Sequence, residues 1–375
     1  MAGIYIHIPF CKQACHYCNF HFSTSLKYKS AMVMAILQEI ELQKDYLNGE
    51  PLSSIYFGGG TPSLLDTTEI IAILQQIQRF HTIAPNIEIT LEANPDDLNA
   101  AKLDTLAQTP INRLSIGIQS FNEADLMFMN RAHNAQEANR CISLAQSAGF
   151  QNLTIDLIYG APTTTDEVWK TNVDKALAFG IPHISCYCLT VEPNTALAHF
   201  VKMGKATPVD EEQSNRQFQM LMETLEHQGY IHYEISNFAQ PDQFAVHNTN
   251  YWKGVPYLGI GPSAHSFNNN TRQWNVANNA KYLSALQQKT VPYEMEILTT
   301  AQRYNEYVMT SLRTIWGCQV AHLQTFGMDY SAYFLKKSQI FLQKEWMKQK
   351  EDTFSLTQKG KLLADYIAME LFWED

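Results

Sequence analysis

Charge is scarce in this chain of 375 residues, at 17% Asp, Glu, Lys and Arg, and the balance is acidic, with a formal charge of −10. No cluster of Lys and Arg stands out, which excludes a phosphate-binding groove and a nucleic-acid partner. No apolar run approaches 18 residues, so no membrane-spanning helix is expected. The first residues, "MAGIYIHIPF", lack the basic start and long apolar stretch of a secretory signal. Cysteine is short of an even number: Cys11, Cys15, Cys18, Cys141, Cys186, Cys188 and Cys318 are seven in a long chain. A disulfide framework is not indicated. A reducing cytoplasm, with thiols free to ligate metal, is.

Apolar residues make up 45% of the chain, enough for a large core. Over the first two thirds, short β-rich runs alternate with longer helical patterns. The strands fall at 4–8, 53–57, 87–93, 113–119, 153–159 and 183–191, with helices between them such as "TTEIIAILQQIQRF" and "AQEANRCISLAQSAG". Six such units predict an α/β fold, a partial (β/α)6 TIM-type barrel over residues 1–228, with its chemistry at the C-terminal strand ends. Residues 229–294, rich in aromatics, Gly, Pro and Asn, read as a loop-dominated connecting segment. Residues 295–375 read as a helical, winged-helix-like module.

"CKQACHYCNF" (11–20) packs three cysteines into the loop after the first strand as C-x3-C-x2-C, with Phe20 where a further cysteine would continue the rhythm. One option is a Cys3His zinc site completed by His7, His16 or His21. The other is an iron–sulfur cluster with one iron left open for a small molecule. Polar and glycine residues recur at the following strand ends: "GGGTP" with Gly59, Gly60 and Thr61, then Glu92, Gln119 and Asp156, with Arg131 in "MNRAHN". Glycines let a backbone approach a ligand closely.

The cysteine spacing, with Tyr17 before the last cysteine, resembles the radical S-adenosylmethionine superfamily. The strand-end set resembles its branch of oxygen-independent coproporphyrinogen III dehydrogenases and haem chaperones. That resemblance implies a [4Fe–4S] cluster on Cys11, Cys15 and Cys18. It also implies S-adenosylmethionine contacts from Tyr5, Tyr17, Gly59, Gly60, Thr61, Glu92, Gln119, Arg131 and Asp156, with Gly59 to Thr61 at the methionine end and Arg131 on its carboxylate. The dehydrogenases carry a cysteine where this chain has Phe20, which speaks against coproporphyrinogen oxidation. "HNTNYW" (247–252) matches the H-N-x-x-Y-W pattern of the haem chaperones. There His247 is the expected axial ligand of haem, Tyr251 and Trp252 offer flat faces, and His265 is a second candidate. The resemblance further implies haem transfer to acceptor haemoproteins, among them respiratory-chain proteins at the membrane surface, and homodimerisation. Its rival is a radical enzyme acting on a tetrapyrrole. Cys186 and Cys188 read as core residues on one strand face, and Tyr304 and Tyr307 as helical core.

Overall fold

The computed structural model describes residues 1–374. Six parallel strands run in sequence order: β1 (Ala2–Ile8), β2 (Leu52–Gly59), β3 (Ile83–Ala93), β4 (Arg113–Gln119), β5 (Leu153–Tyr159) and β6 (His183–Cys188). Their apolar, β-branched composition suits strands covered on both faces. All seven residues of β4 are buried. Helices pack outside by their periodic faces. The helix Thr67–Phe80 buries Ile70, Ile73, Leu74 and Ile77, and a capping box of Asp66 with Glu69 starts it. Thr165 caps the helix Asp166–Ala178 through the Val168 N–H. The fold is the α/β partial barrel expected.

Residues 229–294 are not loop-dominated. They extend the sheet at both edges. On one side β7 (Ile231–Glu234) and β8 (Asn237–Ala239) pair antiparallel, β8 against β6. On the other, β9 (Tyr257–Ile260) lies parallel to β1, followed by antiparallel β10 (His265–Phe267), β11 (Thr271–Asn275) and β12 (Tyr293–Ile297). Twelve strands result. The polar residues that read as loop are buried partners of one carboxylate. Glu39, on the helix Lys29–Leu42 and fully buried, accepts hydrogen bonds from the Gly261 N–H (2.8 Å), Asn275 Nδ2 (2.6 Å), Gln43 Nε2 (2.7 Å) and the Tyr282 hydroxyl. Burying these groups is tolerable because each finds its partner.

The C-terminal part has its own core around Tyr304, Val308, Phe334 and Phe354. A helix (Thr300–Leu312) leads to β13 (Cys318–Gln319), then two helices (Val320–Gln324 and Met328–Gln343). The hairpin β14 (Met347–Lys350) and β15 (Thr353–Leu356) completes a three-stranded sheet. Helix, strand, two helices and a hairpin is the order of a winged helix. No helix among the described residues is long and apolar enough to cross a membrane.

Candidate functional site

The C-terminal ends of β1 to β6 surround a cavity of about 440 Å³, within the range of small-molecule sites. The cysteine loop forms its mouth. What holds that loop in register is the glycine run at the end of β2. The Gly60 N–H donates to Ile8 O (2.9 Å) and the Thr61 N–H to Phe10 O (2.7 Å), clamping the chain just before Cys11. A Cβ on Gly60 would stand 2.5 Å from Phe10 O, so only glycine permits this approach. Gly59 has φ +107, and a Cβ there would meet the His7 ring at 2.6 Å.

Cys11, Cys15 and Cys18 all line the cavity. The Thr61 hydroxyl donates to Cys11 Sγ (3.4 Å), and Arg131 Nη1 donates to Cys15 Sγ (3.2 Å) and towards the Tyr17 hydroxyl (3.4 Å). Arg131 is itself held by Asn94 Oδ1 (2.7 Å) and Gly117 O (3.0 Å) through Nη2, while its buried Nε has no partner. Burial pushes the free Cys11 thiol up to about 11, and the Thr61 hydrogen bond offsets part of that rise. The nearby histidines are committed elsewhere: His7 to His21 O, His16 to Phe128 O and His21 to Asn279. No three His, Cys, Asp or Glu side chains among the described residues converge on one point. Three cysteines from one short loop, gathered at the mouth of one cavity, are a donor set that fits a cluster in which each cysteine takes a different iron.

Below the mouth the cavity is polar. The Tyr56 hydroxyl donates to Glu92 Oε1 (2.7 Å). Glu92 faces the cavity yet lies deep in the barrel, and burial with nearby Asp156 pushes its carboxyl up to about 8. Asp156 rises to about 6 through burial, restrained by Ser185, Arg113 and Arg131. Gln119 adopts φ +62 where the β4–β5 register shifts. A buried non-glycine residue held there is strain that the surrounding fold over-determines, as is common at ligand sites. Tyr187, 45% exposed, lines this cavity.

The expected residues Tyr17, Gly59, Gly60, Thr61, Glu92, Gln119, Arg131 and Asp156 line this one cavity with the cysteines. Tyr5 and His247 do not. Tyr5 sits lower, its hydroxyl 3.2 Å from His7 Nδ1. His247 lies further still from the cysteines. It belongs to the helix Val246–Trp252, which closes the opposite end of the barrel. Its Nδ1 is bonded to Ser54 Oγ (2.9 Å) and its ring stacks on Tyr56 at 5.0 Å. Burial lowers its pKa to about 4. A ring so engaged lines neither large cavity, and His265, on β10, lines neither as well. Cys188 lines the cysteine cavity while Cys186 is core. Asn94, which joins Arg131 to Thr61, was not singled out from sequence although it lies two residues past Glu92. Glu88 was also missed: its carboxylate receives the Val246 and His247 N–H groups at 2.9 Å each and anchors the closing helix.

Residues 5–176 match the Radical SAM superfamily. The heme chaperone HemW of Bacillus subtilis is 31% identical over 98% of this chain and 98% of its own length. The chain belongs to the haem chaperone HemW family. HemW of Escherichia coli K12 is 36% identical over 70% of this chain and 69% of its own. Among solved structures, the radical SAM enzyme coproporphyrinogen III oxidase (HemN) from Escherichia coli superposes with a TM-score of 0.84 at 24% identity. That match covers 99% of this chain and 90% of the other, which establishes the shared fold. Membership of the HemW family, within the radical SAM superfamily, implies a [4Fe–4S] cluster and S-adenosylmethionine, and the cysteine-mouthed cavity has the side chains for both.

Proposed function

We propose that this chain is a cytoplasmic haem chaperone that binds a [4Fe–4S] cluster, S-adenosylmethionine and haem, and passes haem to acceptor haemoproteins. The observation that carries the cofactor half is the gathering of Cys11, Cys15 and Cys18 at the mouth of one polar cavity with Gly59 to Thr61, Glu92, Gln119, Arg131 and Asp156 behind them. When bound, the cluster supplies one-electron chemistry and an iron open to the methionine end of the cofactor. Thr61 and Arg131 set the hydrogen bonding of two ligand thiols, and the raised carboxyls of Glu92 and Asp156 offer acceptors and donors to the polar parts of the cofactor. The haem half is supported by the relatives named heme chaperone over nearly the whole chain. It is supported too by Phe20, 67% exposed at the cavity mouth, where the dehydrogenases carry a further cysteine.

Anaerobically reconstituted chain is expected to bind haemin with a saturable Soret change. Supplied with S-adenosylmethionine, reductant and coproporphyrinogen III, it is expected to yield no protoporphyrinogen. Enzymatic turnover of coproporphyrinogen III would instead assign it as a radical enzyme.

A further inference from the structure

A second cavity of about 640 Å³ lies between the sheet extension and the C-terminal module. Its two sides are aromatic: Trp252, Tyr257 and Phe267 come from the extension, and Tyr307, Trp316 and Phe326 from the module. Tyr307, expected as helical core, faces this cleft, whereas Tyr304 behind it is fully buried. Opposed aromatic walls of this kind suit a flat, largely apolar ring system. The HNTNYW segment reaches the cleft through Tyr251 and Trp252 and not through His247.

Cations also gather here, against the −10 charge of the chain. Arg272 is ion-paired to Glu306 at 2.7 Å. Lys253, with Nζ 4.0 Å from the Trp316 ring centroid, has no carboxylate partner among the described residues, and the buried Nε of Arg303 has no acceptor. Unpaired cations beside aromatic walls fit a ligand whose carboxylates hang from a planar ring. His322 lines the same cleft, its ring 4.1 Å from that of Tyr307 and 5.4 Å from that of Phe326. Neither of its nitrogens has a hydrogen-bond partner among the described residues. Partial burial keeps its pKa below the ordinary value, so a nitrogen lone pair is free at neutral pH.

We infer that this cleft seats a planar macrocycle bearing carboxylates, which in the proposed function is haem, with His322 supplying the axial nitrogen. The inference rests on the haem-binding reading and adds to it a place and a ligand. It also explains how one chain carries two large cofactors. The cysteine cavity is at the C-terminal ends of the strands, and the helix that reaches the cleft packs at their N-terminal ends; from Gly59 back to Ser54 along β2 is roughly 16 Å. Haem held in the cleft is cargo, kept apart from the chemistry at the cysteines.

The test uses the anaerobically reconstituted full chain and two probes, haemin followed at its Soret band and iron-free protoporphyrin IX followed by fluorescence. His322→Ala should shift the Soret band and weaken haemin about tenfold, while protoporphyrin binding stays unchanged because it needs no axial ligand. Thr310→Trp, which fills the cleft from the helix Thr300–Leu312, should weaken both probes. Binding of S-adenosylmethionine by each variant serves as the check on folding. If the wild type binds haemin and both variants bind it with the same spectrum and affinity, the haem-binding reading stands and this cleft is refuted. If His247→Ala alone abolishes the Soret shift, the ligand assignment is overturned in favour of the barrel floor. A wild type that shows no saturable haemin binding refutes the haem-binding reading itself, and the cleft assignment with it.

Discussion

Gly60→Ala is the sharpest test of how the fold aims its cysteines. The added methyl would lie 2.5 Å from Phe10 O and 2.9 Å from Ile8 O, both backbone atoms that cannot rotate away. Relief requires the end of β2 to part from the chain leading into the cysteine loop. That separation breaks the Gly60–Ile8 and Thr61–Phe10 hydrogen bonds. Overpacking of this sort costs about 1–3 kcal/mol, and the two hydrogen bonds add roughly 1 kcal/mol each. The sum, ~3–5 kcal/mol, corresponds to a fall of roughly 4–6 °C in Tm, taking the usual unfolding entropy per residue. Iron per chain after reconstitution should fall along with it, because the same separation carries the Thr61 donor away from Cys11. Gly149→Ala is the control. Gly149 has φ +95 but nothing within 4 Å of a Cβ, so that variant carries backbone strain of about 1 kcal/mol and should keep its iron. Scanning calorimetry and iron analysis read both. A Gly60→Ala chain with wild-type Tm and full iron, or equal iron loss in both variants, would refute the clamp.

Glu92 predicts a pH dependence. The folded chain holds this proton to about pH 8 against an ordinary value of 4.5, so the site's contribution to stability is full below about 4.5 and is lost as pH rises through 8. Glu92→Gln should flatten that part of the denaturant-midpoint profile, and an unaltered slope would contradict it. Arg131→Met strips the donors from Asn94 Oδ1 and Gly117 O; at about 1–3 kcal/mol for each unsatisfied acceptor, the apo chain should unfold at clearly lower urea, with Arg131→Lys between the two. Glu88→Ala leaves the Val246 and His247 N–H groups and the buried Arg113 without their carboxylate. Amide exchange across Val246–Trp252 should quicken at least tenfold, and protection equal to wild type would show that the closing helix does not depend on Glu88.

The sequence by itself determined what is written in local periodicity and short spacing. The β/α rhythm, the helix caps, the cysteine triad and the polar residues at successive strand ends are each carried by a few neighbouring residues, and a parallel barrel brings its strand ends together once the rhythm is known. Tertiary structure decided the rest. Residues 229–294 resemble loops because their Asn, Gln and Tyr side chains are polar, yet those groups are buried on Glu39 and Gln43, some two hundred residues earlier in the chain. His247 and Trp252 share one motif, but a helix packed across the barrel floor turns the histidine onto Ser54 and the tryptophan towards another cavity. The place of His322 was likewise out of reach, since no spacing along the chain announces that it lies beside Tyr307 and Phe326 in a cleft that Trp252 also lines. Such pairings depend on which surfaces meet, and that is settled by packing over long sequence separations, where local pattern carries no information.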